Sequence, residues 1–121
     1  MAARARRAEQ IGFHGLVVPD HLLSQLSPVV AMATIAAATS TLRMSAFVMN
    51  NDLRHPAVVA QDLASIDVLS GGRVDVAIVA GCNRPEYDAI GIAFDPTPGR
   101  QARPAAPITV LQGRFTCPPV P

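Results

Sequence analysis

Asp20 and His21 stand side by side just after the short apolar run Val17-Val18-Pro19. An imidazole, with an ordinary pKa of about 6.5, takes or gives a proton at neutral pH, and a neighbouring carboxylate can orient or charge it. Taken alone, the pair reads as a turn, with Asp20 capping it and His21 solvated. Gly81-Cys82-Asn83 follows a second apolar run and precedes Pro85, which opens a helix. The backbone N–H groups of such a helix start suit a phosphate or the polar edge of a cofactor. Glu86 falls in the first turn of that helix, where negative charge suits the dipole. In Arg54-His55-Pro56 the proline sets a helix start, and Arg54 is expected to pair with Asp52 or with a phosphate-sized anion. Cys82 and Cys117 are too few and too far apart for a disulfide framework or a zinc site, and no basic cluster adjoins Cys82 to activate its thiol. No metal site is expected.

The elements that must position these residues alternate. Ala2 to Ile11 reads as a helix stopped at Gly12, and residues 15–19 as a buried strand with β-branched residues. Ser27-Pro28 caps and opens a helix running to about Thr39, apolar nearly all round and therefore expected to be buried on more than one side. Leu42 to Met49 is the second strand. Val59, Leu63, Ile66 and Leu69 are assigned to one face of the helix that begins at Pro56, and Ser70-Gly71-Gly72 ends it. Arg73 to Ala80 is the third strand, apolar apart from Asp75, and a short helix runs from Pro85 to near Gly91. Strands apolar on both faces and separated by helices of this length imply parallel pairing through helical crossovers. A chain that starts on a helix is expected to lack the strand that should precede it.

Seven of the eleven prolines lie from Pro96 onward, and Pro104 and Pro107 interrupt what would otherwise be a helix from Arg100 to Leu111. An interior proline costs a helix about 3 kcal/mol. The expected organisation is one domain over residues 1–94 and a proline-rich irregular tail over 95–121. A net charge of +1 gives no electrostatic case for nucleic acid or an anionic membrane. The apolar stretch from Pro28 to Ala38 is too short to span a bilayer. No secretory signal follows the basic opening residues, and the cysteine usage suits a reduced, cytoplasmic setting.

Five segments together resemble the luciferase-like monooxygenase family, in particular its branch dependent on the deazaflavin coenzyme F-420. They are Ala8-Glu9-Gln10-Ile11-Gly12-Phe13, Val17-Val18-Pro19-Asp20-His21, Leu53-Arg54-His55-Pro56-Ala57, Leu69-Ser70-Gly71-Gly72-Arg73-Val74 and Gly81-Cys82-Asn83-Arg84-Pro85-Glu86-Tyr87. Each is weak alone; their common order and spacing over residues 8–94 carry the resemblance, and Arg100 extends it weakly. It implies an α/β fold, a partial TIM (β/α)8 barrel of about three parallel strands with crossover helices, its site at the strand C-termini. It implies a flavin- or deazaflavin-dependent oxidoreductase or monooxygenase acting on a small organic substrate, with F-420 or FMN as cofactor.

On this resemblance His21 is the catalytic candidate, and Asp20, Phe47, Val48, Asn50, Gly81 and Cys82 are cofactor-side candidates. A bulge at Ala46-Phe47-Val48-Met49-Asn50, often with a non-proline cis peptide, is implied at the Phe47–Val48 bond. Two departures stand out. Ala77 and Val79 replace family glycines, so Val79 is expected to crowd a flavin, and Cys82 stands where some members hold a catalytic carboxylate. The alternative is a non-catalytic remnant or interaction module derived from such an enzyme. A doubly wound nucleotide-binding module ranks last, because no G-x-G-x-x-G or P-loop is present. The apolar edge strands are expected to promote self-association.

Overall fold

A computed structural model describes residues 1–103 and Thr109. Its elements run α1 (Ala2–Gln10), β1 (Gly15–Val18), α2 (Pro28–Ala38), β2 (Arg43–Asn50), α3 (Pro56–Ser70), β3 (Val74–Val79), α4 (Arg84–Ile90) and α5 (Thr97–Ala102). The three strands form one parallel sheet in the order β1-β2-β3. Helices α1, α2 and α3 pack beside one another on a single sheet face. The core between them joins Val18, Met44, Ala46 and Val74 of the sheet to Met32, Ile35, Val59 and Leu63 of the helices.

The opposite sheet face is open. Strand alternation sends Val17 and Phe47 there, 62% and 67% exposed, and β3 contributes Val79 at 41%. At the strand N-termini the same face carries an ion pair, with Arg43 Nε donating to Asp75 at 2.9 Å. Each guanidinium–carboxylate partner favours the charged form of the other, so the Asp75 carboxyl is lowered.

Two helices differ from their sequence reading in informative ways. In α3 the buried stripe is Val59, Leu63, Ile66 and Ser70, while Leu69 is 84% exposed. At 3.6 residues per turn the position seven beyond Leu63 returns to the core, and that position is Ser70. The Ser70 hydroxyl accepts from Arg73 N–H, and the buried Arg73 guanidinium donates to Thr39, Leu42 and Ala36, tying α3 to α2. Helix α2 buries Pro28, Ala31, Met32 and Ile35 but exposes Val30, so it is covered on one side only. Its outer stripe is largely alanine, which loses little by meeting water.

Short helix α5 lies within the stretch read as an irregular tail. Its prolines do not break it, because Pro96 is the N-cap and Pro98 sits in the first turn, where a missing N–H costs nothing. The proline-interrupted stretch over 104–121 lies, Thr109 apart, outside the described residues.

Candidate active site

Parallel strands deliver all their C-termini to one end, and the loops leaving β1, β2 and β3 meet there. Asp20, in the β1–α2 loop, is 3% exposed. Its carboxylate accepts from the Asn50 backbone N–H at 2.9 Å and from Arg54 at 2.7 and 2.8 Å. Arg54 therefore pairs with Asp20 and not with Asp52. A buried carboxylate persists only with such partners, and a guanidinium supplies them at short range. Asp20 thus locks the end of β2 to β1 and presents both oxygens inward.

His21 turns its Nδ1 to Glu86, 3.0 Å from Oε1 and 3.3 Å from Oε2. Glu86 is buried in the first turn of α4 and also accepts from Asn83 Nδ2 at 2.8 Å. The start of α4 therefore already holds a carboxylate, which argues against an anion binding at Gly81-Cys82-Asn83. The His21 side chain remains 39% exposed.

Between Ala46↔Val76 and Met49↔Ile78, β2 has one residue more than β3, so Phe47 and Val48 stand opposite Ala77 alone. The Phe47–Val48 peptide is cis, as the family resemblance implies. The extra residue reverses the side-chain alternation beyond it. Met49 thereby enters the helix-side core, and Asn50 turns to the open face of the sheet, where it is 5% exposed beneath its neighbours. Asn50 Oδ1 lies 3.3 Å from the Tyr87 hydroxyl, which donates to Asp52 Oδ2 at 2.9 Å. Burial, with the Asp52 bond next, raises the Tyr87 pKa.

Gly81 owes its identity to this same packing. A Cβ there would run into the Tyr87 hydroxyl and Asn50 Nδ2. Arg100 donates to the Gly81 carbonyl, and its guanidinium lies 3.9 Å from the Phe94 ring centroid. Phe94 meets Tyr87 edge-on at 4.9 Å. Arg103 pairs with Asp52 at 3.2 Å. Cys82 is exposed and unpaired.

The sequence candidates Asp20, His21, Phe47, Val48, Asn50, Gly81 and Cys82 thus all sit at the strand C-termini, with distinct surroundings. Asp20, Asn50 and Gly81 are closed in by protein. His21, Phe47 and Cys82 reach solvent. Sequence reasoning left Tyr87 without a role, offered Asp52 only as a partner for Arg54 and used Arg100 only to extend the resemblance; Tyr87 is the chain's single tyrosine, inside a quoted motif, and that was the available signal. Among the described residues no cluster of three metal-ligating side chains occurs, and no helix is long and apolar enough to cross a membrane.

Comparison with known proteins gives a consistent picture. A family model for luciferase-like monooxygenases matches residues 1–103. The pyrimidine monooxygenase RutA of Enterobacter sp. (strain 638) is 41% identical over 73 residues, which is 60% of this chain and 19% of that protein. A solved F420-dependent secondary alcohol dehydrogenase, in complex with an F420-acetone adduct, superposes at TM-score 0.80 with 28% identity, over 92% of this chain and 36% of its own. Monooxygenase RslO1 from Streptomyces bottropensis superposes at TM-score 0.79 with 25% identity, over 92% of this chain and 34% of its own. The chain spans about a fifth of the length of the curated relative and about a third of the solved ones. The three-stranded arc is a part of a (β/α)8 barrel.

Proposed function

The chain belongs to the luciferase-like monooxygenase family, and from that premise we propose that it supplies part of a flavin site in an oxidoreductase acting on a small organic molecule. The cofactor is F-420 or FMN. The observation that carries this reading is one open, apolar sheet face ending in the Phe47–Val48 bulge, with the His21 imidazole held at the same strand ends. A tricyclic flavin ring is flat and largely apolar, so the exposed surface of Val17 and Phe47, with half-buried Val48 beside them, fits its face.

A bound flavin or deazaflavin supplies two-electron hydride chemistry. This chain's residues would supply one side of the site. Phe47 and Val48 would carry the ring. Asp20 holds Asn50 and so fixes the bulge. Gly81 and Cys82 would lie towards the ring's edge, Cys82 alone of the two reaching solvent, and His21 would give or take the proton that accompanies hydride transfer. The exposed, unpaired Cys82 fits a reducing compartment such as the cytoplasm. Among the described residues β1 and β3 are open edges, which favour self-association.

A second reading, a non-catalytic interaction module, draws on Val79. A side chain 41% exposed on the open face, where the family resemblance implies glycine, would take up room next to the ring. One experiment addresses both readings. Wild type and Val79→Gly are mixed with FMN or reduced F-420, desalted, and their visible spectra recorded. A retained, shifted spectrum in wild type supports the oxidoreductase reading. Colour retained only by Val79→Gly supports the module. Colour retained by neither rejects a flavin site on this chain.

A further inference from the structure

We propose that Glu86 is a positioning residue for His21, holding the imidazole as its Nδ1–H tautomer so that Nε2 keeps a free lone pair on the solvent-facing side. This rests on the reading of His21 as the group that handles the proton.

Three observations carry it. First, the Glu86 side chain is only 3% exposed, yet it comes from α4, 65 residues along the chain from His21, and its carboxylate meets the imidazole at 3.0 Å. Secondly, its remaining partner is Asn83 Nδ2 at 2.8 Å. Among the described residues no backbone N–H donates to it, so the side chain is not spent on capping its own helix. Asn83, the N-cap, makes no side-chain cap bond either and turns its amide to Glu86 instead. A first-turn glutamate kept only for the helix dipole would need neither contact. Thirdly, a carboxylate has no proton to donate. With Asn83 also donating to Oε1, the short contact is a hydrogen bond only if Nδ1 carries the hydrogen. The nitrogen bonded to a fixed acceptor decides the tautomer of the other. No described residue bonds Nε2, which is thereby left as the acceptor in neutral His21.

The chain contains its own reference. His55 Nδ1 accepts from the Ala57 backbone N–H at 3.2 Å, so neutral His55 must carry its hydrogen on Nε2. The two residues should therefore show opposite tautomers in one spectrum.

The test is a long-range proton–nitrogen correlation spectrum of the imidazole rings, recorded on the 15N-labelled full chain without cofactor. The expected result places His21 Nδ1 in the pyrrole-like range and Nε2 in the pyridine-like range, with His55 reversed. In Glu86→Ala the His21 pattern should shift towards the Nε2–H form that free neutral imidazole side chains favour, while His55 stays put. A wild-type His21 pattern matching that of His55 overturns the proposal, and so does a His21 pattern unchanged by Glu86→Ala. Should Glu86→Ala not fold, the wild-type comparison with His55 still decides. Because no flavin is present, the outcome is separable from the proposed function. An Nδ1–H His21 with no flavin binding would reject only the cofactor reading. A flavin-binding protein whose His21 is in the Nε2–H form would reject only the role of Glu86.

Discussion

Asp20 looks from its place in the sequence like half of an Asp–His pair, but it works for the neighbouring loop. Its carboxylate joins Arg54 and the Asn50 N–H, while His21 turns to a carboxylate far along the chain. Adjacent residues leave the backbone in different directions, so neighbours in sequence are not neighbours in a site. Asp20→Ala would leave Arg54, 23% exposed at its side chain, without its counter-charge and Asn50 without its acceptor. Removing one partner of a buried pair typically costs about 3–5 kcal/mol, and denaturant unfolding should read a loss of that order. Gly81→Ala is expected to destabilise by about 1–3 kcal/mol, because the new methyl must displace the Tyr87 hydroxyl or Asn50. Pairing the change with Tyr87→Phe checks the cause: removing the hydroxyl should relieve part of the penalty. That His21, Gly81 and Cys82 would come to one end of the sheet was legible because loops after parallel strands share one end. The partners Glu86 and Tyr87 were not, since they depend on how α4 packs back over β3, which no local pattern encodes.

At the scale of elements, periodicity and proline placement gave the helices and strands, and the boundaries moved by a residue or so. What escaped was pairing across long separations. Glu9 is the example. From the C-terminal turn of α1 it accepts the Ser40, Thr41 and Leu42 N–H groups at 2.8, 2.6 and 3.1 Å, closing the approach to β2. The sequence offered Glu9 only as a member of a quoted segment, with no partner named for it. The backbone N–H of Thr41 and its neighbours hold the Glu9 carboxyl at about 2, below the usual 4.5. A carboxyl depressed in the folded state stabilises above its unfolded value and loses that contribution as pH falls through the folded one. Stability should therefore decline between about pH 4.5 and pH 2 more steeply in wild type than in Glu9→Gln, whose amide oxygen still accepts but does not titrate. Circular dichroism melts across that window would read the difference; equal slopes would show that Glu9 contributes nothing. The α5 helix was missed for a simpler reason. Residues 95–121 were read as one irregular tail on the strength of Pro104 and Pro107, which lie beyond α5, whereas Pro96 and Pro98 stand at its start, where proline is tolerated.

For the molecule as a whole, the arrangement has one covered face and one open face, with β1 and β3 as edges among the described residues. Open edges of β-branched strands, beside an uncovered face bearing Val17, Phe47 and Val79, favour association with another chain. Sedimentation velocity should find the chain self-associated at micromolar concentration, and a clean monomer would remove that expectation. The open face is also where the cofactor reading must stand or fall. Family membership fixes the fold. The most direct test is a titration of the 15N-labelled chain with FMN and, separately, with F-420, followed by amide shifts residue by residue. The account predicts saturable shifts concentrated at His21, Phe47, Val48, Asn50, Gly81 and Cys82. Shifts that fail to saturate, or that centre on Ala2, Arg6, Val30 and Ala33 in the groove between α1 and α2, would contradict it.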